Sequence, residues 1–349
     1  MKTKTVCEIF PSDTNGRNSE GCFFTGTDGE ILFAYSRYAS VGTADDDVCD
    51  IALIRSRDNG ESWSEYEIIA RASDFGVKNI MCASALTLSD GRLCVYFLIK
   101  ENDGTSSIGR TISSDGVNFV PERCRCDFPK AYYVIENDRF VRLSDGRVAT
   151  VASRHLERDN GEVMPLVSDD DGASFHHTGA YLKLSGTFGV TFGFEEPGIV
   201  ELERGLIWLY TRTELMYQYQ SFSIDGMRSF TTPEPSVFTS PRSPMSVRRF
   251  SDGSLIAAYN PIPNYNGRYE LTGDMNVNAG HSGRTPLVLR VSKDNGRTWG
   301  SPIAIETEKN RDFCYPSLFE TSDGAVLCAY LSIKDERHSM RIIKVSGLL

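Results

Sequence analysis

Five times along this chain a serine is followed two residues later by an aspartate, then a glycine and an aromatic. The fullest copy is Ser56-Arg57-Asp58-Asn59-Gly60-Glu61-Ser62-Trp63. The spacing returns at Ser168, Asp170, Gly172 and Phe175, and at Ser292, Asp294, Gly296 and Trp299. A weaker copy, Ser223, Asp225 and Phe230, has Met227 where glycine should stand, and Ser113, Asp115, Gly116 and Phe119 form a copy one residue short. In chain order the copies start 57, 55, 55 and 69 residues apart. Such a period dictates architecture before any local propensity is weighed. Ser and Asp close a turn on nearby backbone N–H groups, glycine accepts a positive φ, and the aromatic anchors the turn on a sheet. The box therefore reads as a hairpin loop and not as a ligand site.

A second repeat runs beside the first, a Gly turn leading into an apolar strand. It occurs at Asp28-Gly29, Asp90-Gly91, Asp145-Gly146, Arg204-Gly205, Asp252-Gly253 and Asp323-Gly324. Each copy follows another strand-like run, such as Ser84-Ala85-Leu86-Thr87-Leu88, so each pair is a hairpin. After the first five pairs a third run enters a box and a fourth run leaves it. The unit is four short antiparallel strands, and six units predict an all-β, six-bladed β-propeller filling residues 1–349 as one domain. The final run, His338 to Val345, is expected to close the ring. Two stretches break the rhythm: an acidic insertion from Tyr38 to Asp50, and Asn260 to Ser282, which accounts for the longest spacing. Long irregular connections on a regular scaffold often carry function.

Composition narrows the function classes. A net charge of −10 argues against nucleic acid or an anionic membrane as partner, while leaving room for a small molecule or glycan held by local arginines. The amino terminus lacks the apolar run of a signal peptide, and no stretch approaches the roughly 18 apolar residues of a membrane span. The nine cysteines are scattered, which reads as reduced thiols and a cytoplasmic protein. No phosphate loop and no metal-ligand spacing appears, so no cofactor or metal is expected; the adjacent His176 and His177 cannot face one site from a strand. Oligomeric state is not readable.

In a propeller the first strand of each unit lines the axis. Eight residues before each turn stand Glu20, Cys82, Asn137, Glu196, Pro244 and Tyr315. Equivalent positions of a repeat have diverged into polar and reactive types, with Arg17, Asn79, Asp138, Arg139 and Arg242 nearby, and a bare scaffold has no need of such a ring.

These residues carry a resemblance. The boxes on six units resemble the sialidase (neuraminidase) superfamily, of which the bacterial family 33 exo-sialidases are the best known. Glu196-Pro197-Gly198-Ile199-Val200-Glu201-Leu202 with Arg212 behind it resembles that family's catalytic glutamate and second arginine. Arg284 resembles its third arginine, and Tyr315-Pro316-Ser317-Leu318 the segment holding its nucleophile. The resemblance implies a retaining exo-glycosidase acting on terminal sialic acid or a related acidic sugar. Tyr315 would be the nucleophile, Glu196 its base, and Asp45, with Asp47 as second choice, the acid/base on the blade-one loop that also holds Asp46 and Asp50. Arg17, Arg212 and Arg284 would clamp the substrate carboxylate. The chemistry is coherent: guanidinium forks bind carboxylates bidentately, and a neutral tyrosine is not repelled by an anionic sugar as a carboxylate nucleophile would be. The first arginine departs from the pattern. Arg17 lies farther from its turn than the family's arginine, and Glu20 intrudes beside it; Arg37 and Arg242 are substitutes. A hydrolase or lyase of other specificity and a non-catalytic sugar-binding propeller stay open.

Overall fold

The computed structural model describes residues 1–155, 161–184, 192–262, 283–308 and 310–348. Apart from one short 3-10 turn at Ala72–Phe75, its regular structure is all β. The first unit runs Asn18–Thr25, Ile31–Tyr38, Cys49–Ser56 and Glu67–Ala70, each strand antiparallel to the next. The fourth, Glu195–Glu203, Leu206–Arg212, Tyr217–Ser223 and Glu234–Thr239, repeats that order. The hydrogen bonds make five sheets, not six separate ones, because one parallel pairing of Cys49 with Asn79 joins the first two meanders into an eight-stranded sheet. The arrangement is propeller-like. Apolar side chains pack between successive sheets: Leu209 lies with Val151, Trp208 with Tyr259, and Leu327 of the last sheet with Phe33 of the first.

That last contact completes the circuit. Closure is not made by the carboxy-terminal run alone. Arg337–Ser346 is the third strand of its sheet, and the amino-terminal strand Lys2–Ile9 pairs along it as the fourth. Pairing the two chain ends in one sheet covers the side of Arg337–Ser346 that would otherwise be a free edge.

The boxes do what their residues require. Each third strand with a box ends on its serine: Ser56, Ser113, Ser168, Ser223 and Ser292. In the fullest copies the serine hydroxyl donates to the aspartate, as Ser168 does to Asp170 at 2.7 Å, and accepts the N–H four residues on, from Gly172 at 2.8 Å. The aspartate also takes the N–H of Ser174 at 2.8 Å. Gly172 sits at φ +80°, and Met227, in the weaker copy, is held at φ +69° by the same bond from its N–H to Ser223. The aromatic wedges between sheets: Phe175 meets Tyr96 edge-on at 5.9 Å, and Trp299 packs against Phe238 at 4.9 Å.

The insertion at Tyr38–Asp50 is a loop whose two stems pair Arg37 with Asp50 and Tyr38 with Cys49. Of the second insertion, residues 263–282 lie outside the described residues.

Two outcomes follow. Ser168→Ala strands the buried Gly172 N–H, and urea unfolding should show a loss of about 1–3 kcal/mol. The acceptor bonds hold the Asp58, Asp170 and Asp225 carboxyls down at about 2. Their contribution is complete above the ordinary carboxylate range and disappears as pH falls through about 2. Melting curves should therefore show stability dropping between about pH 4 and pH 2, with a smaller drop in Asp170→Asn.

Candidate functional site

The innermost strands share one irregularity. In four of them the ladder to the second strand skips two residues: between Ser19 and Cys22, Met81 and Ser84, Glu195 and Gly198, and Cys314 and Ser317. The first skipped residue is in each case left-handed, with φ +44° at Glu20, +63° at Cys82, +47° at Glu196 and +56° at Tyr315. These are four of the six residues that the turn spacing singles out. A β-bulge frees one residue from the ladder and re-aims its side chain. Proline follows Glu196 and Tyr315, where no ladder hydrogen bond is asked of it.

All four bulge residues line one cavity of about 270 Å³ near the start of the inner strands. This is the small end of ligand sites, which run roughly 300–1,000 Å³, and suits a ligand of about one ring. Aromatic faces come from Tyr132, Phe192 and Tyr315, with His155 beside them.

Tyr315 lies between charges. Its phenol is pushed well above the ordinary value, first by burial and then by the neighbouring Glu196, so it is neutral at rest. The guanidinium of Arg284 stands 5.7 Å from its ring centroid. Glu196 is paired with Arg212 at 2.5 Å, and Glu195 receives Arg242 bidentately, 2.6 Å on each arm. The acidic loop brings Asp45 to the rim, with its side chain 64% exposed and 2.6 Å from Arg17. Asn79 pins that loop through the carbonyls of Asp45 and Asp47 at 3.0 and 2.6 Å, and Lys100 reaches the Asp45 carbonyl at 2.9 Å. Desolvation by the crowded rim works to raise the Asp45 carboxyl although its side chain reaches solvent, but Arg17, with Lys100 and Arg212 behind it, holds it below the ordinary range.

The remaining residues proposed from sequence lie elsewhere. Asp47 closes the loop on itself by accepting the Ala44 N–H at 2.9 Å and does not line the cavity. Arg37 lies over Tyr66 at 4.3 Å, away from the site. Asp138 pairs with Arg248 at 3.0 Å and accepts from Ser317, while Arg139 is buried over Tyr210 and donates to the Met245 carbonyl at 2.7 Å. Both serve the axis and not the cavity. Arg242 does line it; Arg284 stands behind Tyr315. Arg17 does not line it either: Glu20, only 1% exposed, is interposed and takes its Nη2.

Sequence spacing missed Glu136. The third inner strand is interrupted between Val134 and Val141, so the left-handed residue there is Asp138, φ +59°, and not Asn137. Asn137 instead spans the axis, donating to the Gly21 carbonyl at 2.7 Å, and the acid that faces the cavity is Glu136. Burial, then Glu196 and Glu20, push its carboxyl up to about 8. Pro244 precedes its strand, which starts at Ser246, and is also absent from the lining. No group of His, Cys, Asp and Glu among the described residues is arranged to hold a metal ion.

Residues 32–328 match the family model described as a BNR repeat-like domain. The chain belongs to the BNR repeat-like family. No curated protein matches this BNR repeat protein in sequence. Among solved structures, a protein of unknown function from Dyadobacter fermentans superposes with a TM-score of 0.74 at 16% identity, over 98% of this chain and 99% of that one. NanB sialidase from Streptococcus pneumoniae gives 0.73 at 13% identity, over 99% of this chain and 70% of its own. Trypanosoma rangeli sialidase, solved with sialic acid, gives 0.70 at 12%, over 99% of this chain and 59% of its own. At these identities the likeness is one of fold, and it makes this BNR repeat protein sialidase-like in architecture.

The Glu136 carboxyl supplies a test. Unfolded, it ionises near 4.5; folded, near 8, so the fold loses stability as pH rises across that window. Glu136→Gln removes the loss. The melting temperature of the variant relative to wild type should climb by a few degrees from about pH 4 to about pH 8.5; a flat difference would count against a buried, protonated Glu136.

Proposed function

We propose that the protein is a six-bladed propeller acting as a retaining exo-glycosidase of sialidase type. The observation that carries this reading is that Tyr315 and Glu196, bulge residues of two different inner strands, face one small cavity with Asp45 at its rim. On this reading the Tyr315 oxygen attacks the anomeric carbon while its proton passes to Glu196, and the aglycone oxygen leaves with a proton from Asp45. A glycosyl-tyrosine results. Asp45 then draws a proton from water, water attacks the same carbon, and the phenol recovers its proton from Glu196. A buried, neutral phenol is a weak nucleophile by itself, which is why a carboxylate beside it matters.

The resemblance also implied a sialic acid or related acidic sugar clamped by Arg17, Arg212 and Arg284. Only Arg212 of the three lines the cavity, so the mechanism is proposed here separately from the identity of the sugar. One observation favours a second assignment of the acid. Asp45 is held ionised by Arg17, whereas Glu136 keeps its proton to about 8.

Aryl glycosides, carboxylated and neutral, test the reading. Turnover with retained configuration is expected, and Tyr315→Phe should lower kcat on the order of 10³-fold or more. Turnover that survives that substitution rejects the nucleophile. Absence of turnover together with measurable sugar binding would support a non-catalytic sugar-binding propeller. With an alkyl leaving group, which needs a general acid, Asp45 predicts a rate that is already falling as pH rises into the ordinary carboxylate range, because its carboxyl is held below that range, and Asp45→Asn should slow alkyl substrates far more than aryl ones. A rate that holds until about pH 8 and disappears in Glu136→Gln assigns the acid to Glu136.

A further inference from the structure

We infer that Glu20 occupies the seat a substrate carboxylate would take on Arg17, and that the sugar this cavity accepts is therefore one without a carboxylate. The inference rests on the glycosidase reading for its substrate class but not for its binding test.

Arg17 is buried, and each of its three nitrogens already has a partner. Nε bonds the Ser19 hydroxyl at 2.8 Å, Nη1 bonds the Thr43 carbonyl at 3.2 Å and Asp45 at 2.6 Å, and Nη2 bonds Glu20. The Ser19 hydroxyl turns back onto the other oxygen of Glu20. A carboxylate seated on a guanidinium, with a hydroxyl completing its shell, is how a protein binds a substrate carboxylate; here the chain supplies its own. Glu20 is aimed there by a left-handed backbone at +44°, a conformation unfavourable in a non-glycine residue. Ionic bonding to Arg17 and the bulge together hold it in the wall.

The rest of the wall agrees independently. Among the described residues five carboxyl groups line the cavity, against Lys100, Arg212 and Arg242 as cations, and Arg212 and Arg242 are themselves paired with Glu196 and Glu195. Among the described lining residues, even with Glu136 protonated, four carboxylates face these three cations, so the lining side chains carry no net positive charge; Arg284, behind Tyr315, gives its Nη2 to the Arg242 carbonyl at 3.1 Å. Carboxylates accept hydrogen bonds only, so they suit a ring whose hydroxyls donate, and the Tyr132 and Phe192 faces suit its apolar side. The implied substrate is a glycoside of a neutral sugar.

The probes are sialic acid and its methyl ester, which share one ring and differ in the charge. Their affinities are measured by calorimetry or ligand-observed NMR for wild type, Glu20→Ala and Glu20→Gln, each first shown to melt cooperatively. Wild type should bind the acid no tighter than the ester. Glu20→Ala, which empties the seat, should bind the acid about tenfold tighter than wild type does, with the ester nearly unchanged; Glu20→Gln, which keeps the shape, should gain less. Wild type binding the acid more tightly than the ester overturns the inference, and so does an acid affinity that neither variant raises. In turnover, neutral aryl glycosides should exceed aryl sialoside in kcat/KM. Loss of all turnover with the binding pattern intact rejects the glycosidase reading and leaves the role of Glu20 standing.

Discussion

The site depends on a backbone device, the two-residue bulge near the start of the inner strands. In a regular strand alternate side chains point to the two faces of the sheet, toward the neighbouring blades, and none is directed along the axis. At Glu20, Cys82, Glu196 and Tyr315 the ladder is interrupted and the residue turns left-handed, and these four side chains meet in one cavity. The peptides released from the ladder need partners. Asn137 takes the Gly21 carbonyl, and Asp138 donates its N–H to the Ala83 carbonyl at 3.0 Å. Four unfavourable conformations persist in one place because the surrounding ring of packed sheets fixes the backbone on both sides.

Charge is the second organising element. Among the described residues that line the wall, Lys100, Arg212 and Arg242 each answer a carboxylate, and the lining carboxyl groups still outnumber these cations. The surplus is relieved partly by protonation, since Glu136 is pushed up by burial beside Glu196 and Glu20. Crowded carboxyls of this kind commonly mark a working site, because close like charges in a poorly solvated space cannot all be ionised. In the glycosidase reading they also divide the labour: a neutral phenol flanked by one carboxylate, an exposed acid on a loop, and a buried acid that holds its proton.

Where sequence reasoning succeeded, the chemistry was local and repeated. The boxes are read correctly as turns because serine, aspartate and the N–H groups they satisfy lie within six residues of one another. The turn spacing then finds Glu20, Cys82, Glu196 and Tyr315, since four inner strands keep the same length from bulge to turn. It fails in the third unit, where the strand is broken and Glu136 takes the place expected of Asn137, and in the fifth, where pairing begins only after Pro244. Placing Asp45 ahead of Asp47 has no physical ground in a run of aspartates; Asn79 and Arg17, distant in sequence, decide which one reaches the rim.

Taken by itself, the sequence determines a ring of four-stranded meanders, its turns, and a set of inner-strand positions too polar for a scaffold, because periodic patterning acts over a few residues. The tertiary structure alone decides that the amino-terminal strand seals the last sheet, that the first two meanders share a hydrogen bond, and that Arg17 is answered by Glu20 before any ligand arrives. Those outcomes depend on groups brought together from different blades, and the burial that sets their charge exists only once the ring has closed. The Ser/Asp boxes that make the chain recognisable close turns at the far ends of the third strands, and the cavity lies at the opposite strand ends, where the repeat marks positions but not the residues that fill them.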